Sequence, residues 1–200
     1  MKTFLHVGCG FKRQNETTAG FNTAEWRELR VDIDDAVAPD IIADMTNMAI
    51  VPDASVDAIY SSHNIEHLYP HQVQKALAEF RRVLRPSGFL VVTCPDLQAV
   101  CALVAEDKLL DPAYMSAAGP ITPLDILYGH RASLAEGKDY MAHRCGYTLK
   151  VLMGTLQAAG YSAVVGNRRG APYYDLWGLA TSAPIDEAGL RRLAVAHFPM

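Results

Sequence analysis

Short apolar runs, each stopped by glycine, proline or an acid, dominate the first half of the chain and restrict its fold most strongly. The runs with the length of buried strands are Phe4–Val7, Leu29–Ile33, Ile41–Ala43, Val56–Tyr60 and Phe89–Thr93. Brief apolar runs bounded by turn residues are typical of strands that are buried on both faces. The segments between them are long enough for crossovers, so the pattern predicts an open, mostly parallel sheet.

Helical periodicity appears between and after these runs. From His71 to Leu84 the apolar residues recur at helical spacing, which predicts an amphipathic helix closed by Pro86 and Gly88. Further helices are expected from Asn22, at 97–106, at Thr148–Ala159 and at 186–196. Tyr161–Val165 and Leu176–Ala180 are joined through Gly-Asn-Arg-Arg-Gly with no room for a helix between them, so they predict an antiparallel C-terminal hairpin. The expected fold class is therefore α/β.

Composition indicates one globular domain. The chain has 200 residues, half of them hydrophobic, and a net charge of −4. This length fits a single domain spanning residues 1–200, and the charge argues against a nucleic-acid partner. The four cysteines lack paired spacing. Neither a leader peptide nor an apolar run of ~20 residues is visible, so we expect a cytoplasmic protein with no membrane partner.

Residues 107–147 differ from the rest of the chain. Prolines and glycines interrupt short aromatic clusters, and the segment is too long for a plain connection, so we expect a lid or substrate-binding insertion. His130 and His143 each precede an arginine there. A histidine could act as general base on an acceptor, and the arginine could hold an anionic group. The alternative is that both pairs tie the lid to the body.

A glycine turn and an acid suggest a nucleoside site. Gly8-Cys9-Gly10 directly follows the first strand, where backbone amides can approach a ligand closely. Asp32 ends the second strand, where an acid accepts hydrogen bonds from ribose hydroxyls. Arg13 stands where a dinucleotide fingerprint needs glycine, and no helix of small residues follows. The pattern therefore favours a nucleoside over a dinucleotide.

Five segments in this order carry a family resemblance. They read LHVGCG, LRVDID, PDIIADM, DAIYSSHNIEHL and FRRVLRPSGFLVV. Over residues 3–97 the chain resembles the class I S-adenosylmethionine-dependent methyltransferases, in particular the small bacterial type 11 group. The resemblance implies a three-layer Rossmann-like fold. It also implies that a methyl group passes from S-adenosylmethionine to a small-molecule or carbohydrate-like acceptor, leaving S-adenosylhomocysteine.

Matched position by position, the resemblance implies a cofactor site along the strand ends. Gly8 and Gly10 would approach the methionine and ribose part of the cofactor. Asp32, with Asp34 beside it, would hold the ribose hydroxyls. Asp44 and Met45 would flank the adenine. The floor under the methyl group would be formed by Ser61, Ser62 and His63. The sequence departs from the family after Gly10, because a polar segment at 11–21 replaces the usual third glycine and helix.

Two other function classes remain open. The altered glycine turn also fits a non-catalytic binding or scaffold protein whose cleft is blocked by residues 11–21. His63-Asn-Ile-Glu66-His67 matches the H-x-x-E-H signature of zinc proteases, in which one helix presents both histidines on one face. A strand ends directly before this motif and Pro70 follows it, which opposes such a helix. The resemblance explains the same letters as the turn after the fourth strand, so we expect no metal site.

Overall fold

The chain folds into a seven-stranded mixed sheet covered on both faces. The computed structural model describes residues 1–116 and 118–199. The strands are β1 (Lys2–Val7), β2 (Trp26–Asp32), β3 (Ile41–Ile42), β4 (Val56–Ser62), β5 (Leu84–Pro95), β6 (Tyr114–Ser116), β7 (Gly119–Ile121), β8 (Ala163–Arg169) and β9 (Asp175–Thr181). The α-helices are α1 (Pro70–Val83), α2 (Leu97–Ala105), α3 (Pro123–Tyr128), α4 (Arg131–Ala135), α5 (Leu149–Ala158) and α6 (Glu187–His197). Short 3-10 helices lie at Gln14–Glu16, Asp35–Val37, Ile65–His67 and Asp139–Met141.

The strand order places a crevice near the middle of the sheet. The order is β3-β2-β1-β4-β5-β9-β8, with β6 and β7 forming a separate hairpin. Neighbouring strands from β3 to β5 pair in parallel, whereas β9 runs antiparallel to both β5 and β8. The order reverses between β1 and β4, which is where open α/β sheets bind ligands. The predicted mostly parallel α/β sheet with an antiparallel C-terminal hairpin is confirmed.

Alternating residues of the central strands build two cores, which makes the fold three-layered. Leu5 and Ile59 face the side covered by α1 and α5. On the opposite side Phe4 lies in an aromatic cluster against which Leu190 and Leu193 of α6 pack. This division follows from the two-residue period of a strand, because successive side chains point to opposite faces.

A side-chain network replaces the helix that the family usually carries after β1. Arg30 on β2 is only 2% exposed. Its guanidinium donates hydrogen bonds to the carbonyl oxygens of Gly10, Lys12, Val37 and Ala38. These bonds satisfy a buried charge and fix the start of the polar segment 11–21 against the end of the sheet.

Gln14 fixes the remainder of that segment. Its side-chain amide donates to the carbonyl oxygens of Phe21, Thr23 and Trp26. Phe21 is thereby carried into the core, with its ring centroid 4.3 Å from that of Phe4. The short helix expected from Asn22 is wrong, since residues 22–25 form turns. β2 already begins at Trp26, which leaves too few residues for a stable helix.

Two predicted turns lie inside strands. β5 begins at Leu84, and a register irregularity opposite Val56 accommodates Pro86 and Gly88. β8 runs through the Gly-Asn-Arg-Arg sequence, so the hairpin turns only after Arg169. Gly166 suits this strand because a Cβ there would lie 2.5 Å from Met153 Sδ on α5.

His197 at the end of α6 couples stability to pH. Its Nδ1 lies 2.7 Å from Thr18 Oγ1, and its ring packs on Phe21. Burial lowers the pKa of His197 to about 4, so the unfolded chain binds a proton that the folded chain rejects. The contribution of His197 to the free energy of unfolding is therefore fully present above pH 6.5 and is lost as the pH falls towards 4.

We expect the stability advantage of wild type over His197→Gln to fall by about 2–3 kcal/mol between pH 7.5 and pH 4.5. Urea unfolding of both proteins at the two pH values measures this change. Glutamine keeps a hydrogen-bonding group but does not titrate, so it is the matched replacement. An advantage that is the same at both pH values would contradict the prediction.

Candidate active site

A cavity of about 560 Å³ opens at the carboxyl ends of β1, β2 and β4, where the strand order reverses. Most of the residues that the sequence analysis assigned to the cofactor contribute to the wall of this cavity. They are Gly8, Gly10, Asp32, Asp34, Asp44, Met45, Ser62 and His63. Ser61 is buried within β4 and is not among the lining residues. Its hydroxyl instead accepts a hydrogen bond from Asn64.

The carboxylate of Asp32 joins the ends of β1 and β2. Its Oδ2 accepts a hydrogen bond from the Gly10 amide at 2.8 Å, and its Oδ1 accepts one from the Asp34 amide at 3.0 Å. A carboxylate has about four acceptor positions, so Asp32 retains the capacity to accept from a ligand. Gly8 and Gly10 both have positive φ, at 64° and 52°, which glycine adopts without steric cost.

Asn64 is a site residue that the sequence analysis missed. Its side-chain amide donates to the carbonyls of Val7 and Ser62, at 2.9 and 3.0 Å, and so ties β1 to β4. The same side chain occupies the space in which a Cβ on residue 8 would lie. An asparagine in a turn carries no signal of such a contact, because Val7, its partner on β1, is distant in sequence.

Residues of the predicted lid form one wall of the cavity. Those that line it are Ser133, Lys138, Tyr140, Met141 and Arg144. The Tyr140 hydroxyl donates to Asp34 Oδ2 at 2.7 Å, and this bond raises the pKa of Tyr140 to about 12. Arg144 donates to the carbonyls of His67 and Asp139 and lies over the Tyr69 ring. The segment is thus joined to the sheet edge by polar contacts on both sides of the cavity.

The two histidines named as candidate bases lie outside the cavity lining. His130 Nδ1 is 2.9 Å from the Ser133 hydroxyl, and His143 Nδ1 donates to the Ile126 carbonyl at 2.7 Å. Both bonds lie within the lid segment, and burial lowers the pKa of His143. The assignment of either residue as a general base therefore stays a prediction.

The HNIEH letters do not form the zinc-protease arrangement. His63 has φ of 56° and only Ile65–His67 is helical, as a 3-10 turn, so His63 and His67 do not share the face of an α-helix. Glu66 and His67 instead meet His143 from the lid, with ligand atoms within 4.8 Å of one another. Burial alone would raise the pKa of Glu66, but the surrounding histidines outweigh it and hold that pKa below its usual value.

The sheet and its covering helices have the fold of the class I S-adenosylmethionine-dependent methyltransferases. Residues 5–92 match the profile of the family described as "Methyltransferase domain". The predicted resemblance to the type 11 group is thereby confirmed over the segment that carries the glycine turn, Asp32 and the end of β4. No curated protein sequence matches the chain significantly. Among the described residues, no helix is both long and apolar enough to cross a membrane.

Solved structures show the same fold at low identity. 1,6-Didemethyltoxoflavin-N1-methyltransferase from Burkholderia thailandensis, solved with 1,6-didemethyltoxoflavin and S-adenosylhomocysteine, is 16% identical with a TM-score of 0.58, over 92% of this chain and 72% of that one. A methyltransferase from Archaeoglobus fulgidus is 14% identical with a TM-score of 0.57, over 90% and 86% of the two chains. A possible histamine N-methyltransferase from Thermotoga maritima is 13% identical with a TM-score of 0.56, over 91% and 83%.

Alanine at the two turn glycines should affect stability very differently. At Gly10 a Cβ meets nothing within 4 Å, so Gly10→Ala costs only left-handed backbone strain, about 1–2 kcal/mol. At Gly8 a Cβ would lie 2.0 Å from Asn64 Oδ1, so Gly8→Ala adds the loss of the Asn64 hydrogen bonds. Denaturant unfolding should show Gly8→Ala less stable than Gly10→Ala by about 2 kcal/mol or more. Equal losses would mean that Asn64 does not hold the turn.

Proposed function

We propose that this protein is an S-adenosylmethionine-dependent methyltransferase that acts on a small-molecule or carbohydrate-like acceptor. The observation that carries the proposal is the turn braced by Asp32, which opens onto a cavity at the strand-order reversal. A concave site of this volume, partly apolar and with a few convergent polar groups, has the character of a small-molecule pocket.

The described geometry supports a cofactor lying across the ends of β1, β2 and β4. Asp32 has acceptor capacity for ribose hydroxyls, and the glycine turn lets the backbone approach the methionine part. Asp44 and Met45 offer an acceptor and an apolar surface for the adenine. Asp34 accepts a hydrogen bond from Tyr140, so we assign it to closure of the lid rather than to a second ribose contact.

When bound, S-adenosylmethionine supplies a methyl group already activated by positively charged sulfur. The protein's work is then to align the acceptor and to exclude water. Ser62 and His63 border the cavity from the end of β4, and Tyr140 and Arg144 border it from the lid. Their positions on opposing elements would fix the acceptor between the sheet and the lid.

The scaffold hypothesis makes a different claim about the cleft. It requires the polar segment 11–21 to block the cofactor position. Of that segment, only Phe11 is among the residues lining the cavity, and Arg30 and Gln14 hold the remainder against the sheet end. The cavity beside the glycine turn remains open, which favours the enzyme.

Asp32→Ala should abolish cofactor binding. We expect S-adenosylhomocysteine to bind the wild type with micromolar affinity and Asp32→Ala about 100-fold or more weakly, because each hydrogen bond to the charged carboxylate contributes about 1.5–3 kcal/mol. Isothermal titration measures both affinities. Asp35→Ala is the matched control, since Asp35 is an exposed acid in the same loop and does not line the cavity.

Asp32 also braces the turn, so thermal unfolding of each variant must accompany the titration. Asp32→Asn, which keeps the shape and one acceptor, should bind weakly while remaining folded. A folded wild type that does not bind S-adenosylhomocysteine would overturn the proposed function and favour the scaffold hypothesis.

A further inference from the structure

A buried carboxylate without a hydrogen-bond partner lies beside the cavity. The Glu66 side chain is 1% exposed, and neither of its oxygens accepts a hydrogen bond from any residue within 1–116 and 118–199. His63 forms an ion pair with it when protonated, with Nδ1 3.4 Å from Oε1, but no hydrogen bond. Buried charges in proteins are almost always paired or bound to a metal. Glu66 therefore calls for a cation.

Two imidazoles face this carboxylate with a nitrogen free. His67 Nδ1 lies 3.3 Å from the Ala142 carbonyl, and His143 Nδ1 lies 2.7 Å from the Ile126 carbonyl. Because a carbonyl can only accept, each bond places the proton on Nδ1 and leaves a lone pair on Nε2. Metal-binding histidines are oriented by this kind of second contact. The ring centroids are 4.8 Å apart, and the candidate ligand atoms of all three residues lie within 4.8 Å of one another.

Backbone hydrogen bonds hold the three residues together. The amides of Arg144 and Cys145 both donate to the Glu66 carbonyl, at 2.8 and 3.2 Å. Arg144 also donates from its side chain to the His67 carbonyl at 2.7 Å. The lid is thus joined to the 3-10 turn at Ile65–His67 by the residues next to His143. The fold therefore brings the backbones of the three residues side by side.

We propose that Glu66, His67 and His143 bind a divalent transition-metal ion of the zinc type. Two imidazole nitrogens and a carboxylate oxygen suit such ions rather than Mg²⁺ or Ca²⁺, which prefer oxygen ligands alone. Bonds of about 2.0–2.2 Å would draw the donors closer together than they now lie. Three protein ligands leave a fourth position open to water or substrate. His67 belongs both to the cluster and to the cavity wall, whereas Glu66 and His143 line a small neighbouring pocket, so the cluster lies behind His67 in that wall.

If the protein is a methyltransferase, as proposed above, an open position on the metal limits which acceptors it can use. An acceptor hydroxyl bound there would lose its proton more readily, since a divalent cation lowers the pKa of a bound O–H. The oxygen would form the new bond to the methyl carbon while the carbon–sulfur bond breaks and its electron pair stays on sulfur. The displaced proton passes to solvent. The acceptor class is then a hydroxyl compound.

Metal binding can be tested without any methyl acceptor. The full chain, treated with chelator and dialysed, is titrated with Zn²⁺ by calorimetry and with Co²⁺ by visible absorption. We expect one equivalent to bind and Co²⁺ to give the intense bands of a four- or five-coordinate site. Glu66→Gln and His143→Gln should weaken Zn²⁺ binding by about 100-fold or more. His71→Gln is the matched control, because His71 is exposed on α1 outside the cluster, and it should bind as wild type does.

Titration of each protein with S-adenosylhomocysteine separates this proposal from the proposed function. His143 does not line the cavity, so His143→Gln should lose the metal and keep S-adenosylhomocysteine. A protein that binds the metal but not S-adenosylhomocysteine would refute only the proposed function. A protein that binds S-adenosylhomocysteine but not the metal would refute only the metal site.

A folded wild type that binds neither Zn²⁺ nor Co²⁺ would overturn the metal site. The negative charge of Glu66 would then be balanced by a proton on one of the histidines. Binding unchanged in Glu66→Gln and His143→Gln would overturn it too. If those variants do not fold, the wild-type Co²⁺ spectrum decides, since weak bands of six-coordinate Co²⁺ contradict the three-ligand site.

Discussion

The buried guanidinium of Arg30 is the interaction on which the candidate site depends most. It binds carbonyl oxygens from two loops, those of Gly10 and Lys12 after β1 and those of Val37 and Ala38 after β2. A helix after β1 would bind such carbonyls internally, and without one they need donors from elsewhere. Arg30 supplies those donors from one side chain. The turn is thereby held beside Asp32, and the crevice between β1 and β4 stays open.

A second set of contacts joins the lid to the turn after β4. Arg144 and Cys145 bind the Glu66 carbonyl, and Tyr140 binds Asp34 on the far side of the cavity. These bonds place lid side chains over the carboxyl ends of the strands. They also bring His143 against Glu66 and His67. The backbone contacts that place residues 107–147 over the cavity also bring the histidine cluster together, so a change that breaks these contacts should affect both.

The cofactor positions were accessible to sequence reasoning because they depend on local order along the chain. Gly8, Gly10 and Asp32 follow buried strands directly, and the carboxyl ends of parallel strands meet at one edge of a sheet. Asn64 and Tyr140 were missed because their partners, Val7 and Asp34, are remote in sequence. Ser61 was taken for a lining residue, but alternation along β4 turns it inward while Ser62 faces the cavity.

By itself the sequence determined the α/β class, the parallel sheet with its C-terminal hairpin, and the edge at which a ligand would lie. Apolar periodicity and turn residues are short-range signals, and they suffice for these features. Only the tertiary structure decided how the segment 11–21 folds without a helix and which lid residues reach the cavity. It also decided that Glu66 meets His67 and His143. Each of these depends on a buried polar group finding a partner across the fold, and no spacing along the chain specifies that partner.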